Sequence, residues 1–311
     1  MSYFPESLLS CLRCVKCRQP TKLLFIFDSG HLKCPSCDTA YSVHESIPSM
    51  TNSGPQNQDW NPWDLDSTKM MGDSYYKRAK GELPEKDASK SYANLLKNKR
   101  LYSQNDKILD LGCATGHFLF SFKKHLDQNV DYTGVDITEE YLIWGQEIFG
   151  INEKTKFVHA DVLDLPFRNN AFDIAIVNLF HFFPDLRKAL SEVIRVSKKW
   201  VVWRTPIGQV NYAVKIFLNN QSYSDLGPLS LSSDTEDHCI YMLYHPTYIT
   251  ELVESVGAKV EFISRDNDFG SFDNSILDEF SGVPSTKTFH GIQLNGNLHL
   301  DWHYVGIRIN D

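Results

Sequence analysis

The sequence has no apolar run approaching the ~20 residues that cross a bilayer as a helix, so no helical membrane anchor is expected. Its first residues, Met1 to Leu12, include Pro5, Glu6 and Ser10 and lack the unbroken apolar core of a secretory signal. A cytoplasmic protein is the expectation. Basic charge is also scarce. Lys plus Arg number 31 against 39 Asp plus Glu, a formal net charge of -8. That balance argues against broad electrostatic capture of nucleic acid, while leaving room for a local basic patch. Internal repeats and low-complexity tracts are missing. What remains, 311 residues of which 42% are hydrophobic and 23% charged, suits one large or two smaller globular domains rather than a disordered chain.

Cysteine is unevenly spread. Of seven, five fall in the first 37 residues, and Cys113 and Cys239 stand alone. A secreted disulfide scaffold would distribute them more evenly over a small domain. Cys14-Val15-Lys16-Cys17 and Cys34-Pro35-Ser36-Cys37 are two C-x-x-C pairs separated by sixteen residues. That is the spacing of a four-thiolate zinc site, in which each tight turn offers two sulfurs to one face of the ion. The stretch between them suits a hairpin, Thr21 to Phe27 and His31 to Lys33 about a turn at Asp28-Ser29-Gly30. A redox pair is the competing reading. Cys11 makes an overlapping pair with Cys14 but falls outside the symmetric arrangement. Residues 1–50 therefore read as a zinc ribbon, which needs its metal because so short a chain builds little core. Residues 51–90 read as a linker and N-terminal cap; Trp60 and Trp63 within it suggest docking rather than free motion.

From about residue 91 strands and helices alternate. Strands are expected at Lys107 to Leu111, Tyr132 to Ile137, Lys156 to His159, Phe172 to Val177, Trp200 to Trp203, Val260 to Ser264 and Trp302 to Ile309. Helices are expected over His117 to Leu126, after an N-cap at Thr138 until Gly150, after Pro184 and after Pro246. This alternation implies an α/β fold with a doubly wound, mainly parallel sheet. The long segment between strand five and the next helix, 206–245, reads as an insertion; a helix over Asn211 to Asn219 is expected in it. Residues 266–299 are polar and glycine-rich and suit a rim loop.

Ligands of such sheets bind at the carboxyl ends of the strands. The telling loop there is Asp110-Leu111-Gly112-Cys113-Ala114-Thr115-Gly116. It lacks two of the three glycines of a nicotinamide fingerprint, with Ala114 and His117 in their places, and it has no Gly-Lys-Ser/Thr to cradle phosphate. An acid at Asp110 would repel a pyrophosphate and attract an amine. The ligand implied is a nucleoside at one end and a cationic amine at the other, the form of S-adenosylmethionine. Asp136, at the end of the second strand, can accept from both ribose hydroxyls, and Ile137 can pack on the adenine. Asp161 can accept from the exocyclic amine, with the Val162 N–H facing a ring nitrogen. Asn178 falls near the methionine moiety. Any one such residue often caps a helix and nothing more; four at successive strand ends beside a glycine loop are hard to explain that way.

The segments ILDLGCATGHF (108–118), GVDIT (134–138), HADVLDLPF (159–167), FDIAIVNLFHFFPD (172–185) and RVSKKWVVWRTP (195–206) resemble the class I S-adenosylmethionine-dependent methyltransferases. The resemblance covers roughly residues 90 to 265. It implies a seven-stranded Rossmann-like sheet in the order 3-2-1-4-5-7-6 with strand seven antiparallel, S-adenosylmethionine as cofactor, and a cofactor site at Asp110, Gly112, Ala114, Gly116, Asp136, Ile137, Asp161, Val162 and Asn178. Ala114 replaces the usual middle glycine, and Lys199-Trp200 replace a glycine before strand five. The Tyr41-Ser42-Val43 to Ile47-Pro48 pattern resembles ribbons that precede methyltransferase domains, some acting on ribosomal RNA, others on polysaccharides or small metabolites.

The implied reaction is in-line displacement at a sulfonium methyl group, in which the protein supplies alignment and exclusion of water. A hydroxyl acceptor needs a proton acceptor. His181 is the catalytic candidate, weighed against a structural histidine in a mostly apolar run; His238 and His245 stand behind it. No Asn-Pro-Pro-Tyr follows strand four and no cysteine is placed there, which lowers the weight of exocyclic-amine and pyrimidine-carbon methylation. Tyr212, Phe217, Tyr223, Tyr241 and Tyr244 mark the insertion as an acceptor wall. Tyr75-Tyr76-Lys77-Arg78 can close over the cofactor, with Arg78 pairing with its carboxylate. The expectation is a methyltransferase for a small-molecule or carbohydrate-like acceptor, at oxygen. Lys16, Arg18, Lys22 and Lys33 keep open an RNA methyltransferase that clamps RNA with its ribbon, and a non-catalytic binding module is a third possibility.

Overall fold

The computed structural model describes residues 4–51, 66–183, 186–208, 210–217, 238–266, 286–289, 292–295 and 301–309. Trp60, Trp63, Pro184, Tyr223, residues 52–65 of the expected linker and cap, and most of the expected rim loop lie outside them, as do the side chains of Phe217, His238 and Cys239.

In chain order the elements are α1 (Glu6–Cys11), β1 (Leu24–Ile26), β2 (His31–Lys33), β3 (Ala40–His44), β4 (Ile47–Pro48), α2 (Asp66–Ala79), α3 (Asp87–Asn98), β5 (Lys107–Leu111), α4 (His117–His125), β6 (Asp131–Asp136), α5 (Glu139–Phe149), β7 (Thr155–His159), β8 (Phe172–Val177), α6 (Leu186–Val196), β9 (Ser197–Ile207), β10 (Tyr212–Phe217), β11 (His238–Leu243), α7 (Pro246–Ser255), β12 (Lys259–Arg265), β13 (Thr286–Phe289), β14 (Ile292–Asn295) and β15 (Asp301–Arg308). The main sheet runs β12-β15-β9-β8-β5-β6-β7. Strands β7, β6, β5, β8 and β9 are mutually parallel, and β15 lies antiparallel between β9 and β12. Counted along the chain, this is the 3-2-1-4-5-7-6 order expected, with the seventh strand reversed.

Successive strand residues point to opposite faces, and the two cores divide accordingly. Leu109, Val177 and Trp203 enter one cluster. Ile108, Ile176 and Val202 enter the other, with Tyr92 and Leu96 of α3 and Phe118 and Phe122 of α4. The first face is covered by α6, α7 and, less predictably, by the N-terminal ribbon, whose Leu12, Val15, Leu32 and Tyr41 share that cluster. The connection from β7 to β8 carries only a short 3-10 turn, Val162–Asp164, instead of a crossover helix. The ribbon fills the space. Arg13 N–H donates to Pro166 O (2.9 Å), Arg168 N–H to Cys11 O (2.8 Å) and Met50 N–H to His159 O (2.8 Å).

Within the ribbon β1, β2, β3 and β4 form a small antiparallel sheet, with the hairpin where expected. One expectation is overturned. Tyr212–Phe217 is not a helix but strand β10, paired antiparallel with β11 along its whole length. Its alternation of Tyr212, Val214 and Ile216 with Ala213 and Lys215 has the period of a strand, and β-branched residues favour that state. Strand β9 is longer than Trp200 to Trp203 because β15 pairs with it from Trp200 to Ile207. Among the described residues no helix is long and apolar enough to cross a membrane.

Candidate active site and metal centre

The parallel strands bring Asp110, Asp136, Asp161 and Asn178 to the carboxyl ends of β5, β6, β7 and β8. The loop after β5 is tied to the end of β6. The N–H groups of Gly112 and Cys113 both donate to Val135 O (2.8 and 3.0 Å), and Ala114 N–H donates to Asp136 Oδ2 at 2.8 Å. Gly112 has φ +70°, and a Cβ there would lie 2.0 Å from the Leu179 side chain; glycine is the one residue that fits. Ala114 also takes a positive φ, 47°, which is the physical reason a glycine is usual at this place. The Asp136 carboxylate therefore supports the conformation of the loop it faces.

Asp136 accepts a second bond from Thr138 N–H (2.9 Å). Thr138 occupies the N-cap of α5, but its hydroxyl makes no cap bond. Burial raises the Asp136 carboxyl above its ordinary range despite these two donors. Asp110 is 3% exposed and accepts from Tyr132 O–H at 2.6 Å. Burial, opposed by that bond and aided by the charge of Asp136, pushes it up to about 7. Two acids in so dry a place are suited to receive a cation. Asp161 accepts from Leu163 N–H (2.8 Å) and so caps the short turn that positions Val162. Ile137 is partly exposed, and its carbonyl meets His159 Nε2 at 2.9 Å. His159 Nδ1 meets Ser49 Oγ at 2.8 Å, so the end of the ribbon touches the wall of this site.

Helix α2 packs across α4 and α5. Tyr75 stacks on His117 (centroids 4.7 Å apart), while Tyr76 meets Trp144 of α5 at 5.7 Å. Lys86, at the N-cap of α3, lies 4.0 Å over the Tyr75 ring. Burial, then Arg78 and Arg204, bring its ammonium down to about 8. His117 is pushed down to about 3 by burial and by Lys86 and Arg78, and its Nδ1 has no hydrogen-bond partner among the described residues. Arg78 bonds back to Ser74 on its own helix.

His181 lies in the turn after β8, 3% exposed, between Phe182 (4.1 Å), Tyr241 (4.9 Å) and Trp302 (5.3 Å). Burial and the neighbouring Arg204 push it down to about 3, so at neutral pH it is an uncharged imidazole. Its Nδ1 likewise has no partner among the described residues. Arg204 projects from β9. Its Nε donates to Asp266 Oδ2 (2.7 Å), its Nη1 to Asn178 Oδ1 (3.3 Å), and its guanidinium stacks 4.1 Å from Trp302. Ser91 O–H donates to the other Asp266 oxygen (2.6 Å), and Tyr304 O–H donates to Ser91 Oγ (2.7 Å). His245 is drawn into a structural role, its Nδ1 accepting from Thr247 N–H as the cap of α7.

Sequence reasoning missed His117, Lys86, Arg204 and Trp302. Only Arg204 carried a local signal, a cation directly after the apolar run Trp200 to Trp203.

In the ribbon the ligand atoms of Cys14, Cys17, Cys34 and Cys37 all lie within 4.8 Å of one another. The Cys14–Cys37 and Cys17–Cys34 sulfurs are each 3.6 Å apart. Tetrahedral thiolates on zinc stand roughly 3.8 Å apart, so the four fit the ion. Tyr41 Oη is 3.0 Å from the Cys14 sulfur and Thr39 Oγ1 is 3.2 Å from that of Cys37, the outer contacts that fix ligand orientation. Cys11 is not in the group; its thiol points to Leu8 O, and burial raises it to about 11.

Residues 108–199 match the model of a family described as methyltransferase domain. A demethylmenaquinone methyltransferase of Staphylococcus aureus is 36% identical over 93 residues, which are 30% of this chain and 39% of that protein. The chain thus spans well under half the length of the curated relatives it matches. Among solved structures, a 1,6-didemethyltoxoflavin-N1-methyltransferase of Burkholderia thailandensis is 15% identical and aligns over 89% of this chain and 98% of its own, with a TM-score of 0.43. An S-adenosylmethionine-dependent methyltransferase of Mesorhizobium loti is 14% identical over 70% of this chain and 97% of its own, with a TM-score of 0.43.

Proposed function

We propose that this chain is an S-adenosylmethionine-dependent methyltransferase acting on a small molecule, with oxygen as the atom methylated and a structural zinc ion held by Cys14, Cys17, Cys34 and Cys37. The observation that carries the reading is the join between Asp136 and the Gly112–Gly116 loop. An acid at the end of β6 holds the loop open at an exposed Gly112 while retaining lone pairs for a ribose. Asp110 would hold the ammonium, Asp161 and the Val162 N–H the adenine edge, and Ile137 its face. Asn178, held by Arg204, would face the methionine end. Arg78 and Lys86 offer positive charge for the carboxylate.

S-adenosylmethionine supplies an activated methyl group. The protein's own work is to align the acceptor and exclude water. Tyr75, His117 and helix α2 cover the loop, and Phe182, Tyr241 and Trp302 form apolar walls around His181. His181 is the proposed proton acceptor. The relative that acts on demethylmenaquinone supports a small-molecule acceptor. The RNA reading has less support, because four of the five ribbon cations are paired with acids: Arg13 with Glu192, Arg18 with Asp164, Lys22 with Glu6 and Lys33 with Asp38.

Calorimetry with S-adenosylhomocysteine tests the proposal. Binding to the native protein and its loss in Asp136→Ala are expected; no heat from the native protein would dismiss it.

A further inference from the structure

The ribbon sheet has an open edge. Its order is β1-β2-β3-β4, and among the described strands β1 pairs with β2 alone. The ladder shows which backbone groups face that edge. Gly30 N–H donates to Ile26 O (2.8 Å), so the hairpin closes at the Ile26–His31 pair. Cys34 N–H donates to Thr39 O (2.8 Å), which turns Cys34 and Leu32 toward β3 and leaves His31 and Lys33 turned toward β1. Backbone groups of alternate residues face alternate sides of an antiparallel strand. Leu24 and Ile26 therefore bond to β2, and the N–H and C=O of Phe25 point away from the sheet.

Edges of this kind are usually blunted by charge, proline or a bulge. Leu24, Phe25 and Ile26 carry none of these. Leu24 is instead 49% exposed, and Phe27, at the start of the turn, is 71% exposed. Phe25 is braced by its neighbours: Phe4 stacks on it at 5.0 Å and Phe27 meets it edge-on at 5.1 Å. The charges lie at the two ends of the edge, Lys22 before it and Asp28 after it, both exposed. That placement is self-complementary. An antiparallel strand of the same sequence, centred on Phe25, sets Phe25 opposite Phe25, Leu24 opposite Ile26, Leu23 opposite Phe27 and Lys22 opposite Asp28. The neighbouring registers, centred on Leu24 or Ile26, would set Lys22 against Ile26 or Asp28 against Leu24.

We propose that β1 pairs antiparallel with β1 of a second copy of this chain, about a two-fold axis at Phe25, and so joins two ribbon sheets into one. An isologous contact of this kind closes at two copies. Opposed apolar residues and opposite charges on neighbouring strands both favour the pairing. Lys22 already pairs with Glu6 of its own chain, but an ammonium has three donors, so it can also take Asp28 of the second copy. The strand is three residues long, so the contact is small and the dimer weak, with a dissociation constant on the order of 10 µM. This contact is independent of the methyl-transfer reading.

Sedimentation velocity of the full chain tests it, from about tenfold below to about tenfold above that concentration. A monomer that passes to a dimer, and no further, is expected. Leu24→Lys puts a charge into the middle of the edge and should weaken the dimer at least about tenfold. Lys22→Asp and Asp28→Lys each set like charges opposite one another at both ends of the contact. Each alone should weaken it about three- to tenfold, and the two together should restore it. All three positions are exposed, and unchanged circular dichroism confirms that the fold is kept. A monomer throughout the range, assembly beyond two copies, unchanged affinity in Leu24→Lys, or a double variant as weak as the singles would each overturn the proposal. A monomer that instead binds oligouridylate, and loses it in Leu24→Lys, would give the edge to RNA and overturn it as well.

Discussion

Asp110 gives the sharpest prediction, because its role in binding and its effect on stability have opposite signs. The carboxyl is 3% exposed, close enough to Asp136 to feel its charge, and raised from 3.8 to about 7 in the folded chain. A carboxyl whose folded value exceeds its unfolded value binds more protons in the native state. Its contribution to stability is therefore fully present below pH 3.8 and is lost as pH rises through about 7. At about 1.4 kcal/mol per pH unit the full span is worth roughly 4 kcal/mol. The perturbation is Asp110→Asn, which keeps the shape and can still accept from Tyr132 O–H. Other carboxylates, such as Glu192 with Arg195 and Arg13, are lowered and give the opposite trend. The quantity to plot is thus the difference in unfolding free energy between variant and native protein against pH, from urea titrations without ligand. It should be near zero in acid and rise to about 2–4 kcal/mol in favour of the variant by neutral pH. S-adenosylhomocysteine, which carries the ammonium, should reverse the order. It should bind native protein with release of a proton near neutrality, seen as buffer-dependent heat in calorimetry, and bind the variant at least about tenfold more weakly. A flat difference curve, or a variant less stable at neutral pH, would refute the argument.

Asp136→Ala frees the Ala114 and Thr138 N–H groups and should cost about 1–3 kcal/mol without ligand, besides abolishing S-adenosylhomocysteine binding; chemical denaturation separates the two effects. Elemental analysis should find one zinc per chain, retained in Cys11→Ser and lost in Cys34→Ser. Removing the ion with a chelator should lower the melting temperature of the whole chain, because the ribbon shares a core with the main sheet. His159→Ala breaks the link from Ser49 to the Ile137 carbonyl; a loss of about 1–2 kcal/mol and weaker binding of S-adenosylhomocysteine in titration are expected.

Much of the site was legible from the chain alone because it is local. The loop 110–116 and the residue after each parallel strand are placed by the strand they end, and strand ends of a parallel sheet share an edge whatever fills the core. The clustering of Cys14, Cys17, Cys34 and Cys37 was equally legible, since two short turns bring their own sulfurs together. The helix expected over 211–219 is instead strand β10, although Tyr212, Val214 and Ile216 carry the alternating period. The pairing of β10 with β11 bridges twenty intervening residues, and no pattern within 212–217 names that partner.

The sequence by itself determined the strands and helices of the main sheet, the glycine turn with its facing acids, and the four-cysteine cluster, because each rests on contacts within a few residues or on a repeating period. Only the tertiary structure decided that the ribbon replaces a missing crossover helix on one face of the sheet, and that His181, Arg204 and Trp302 converge. Those three come from the turn after β8, β9 and β15. Their charges and rings act on one another only after the chain has folded, through burial that no single segment can supply.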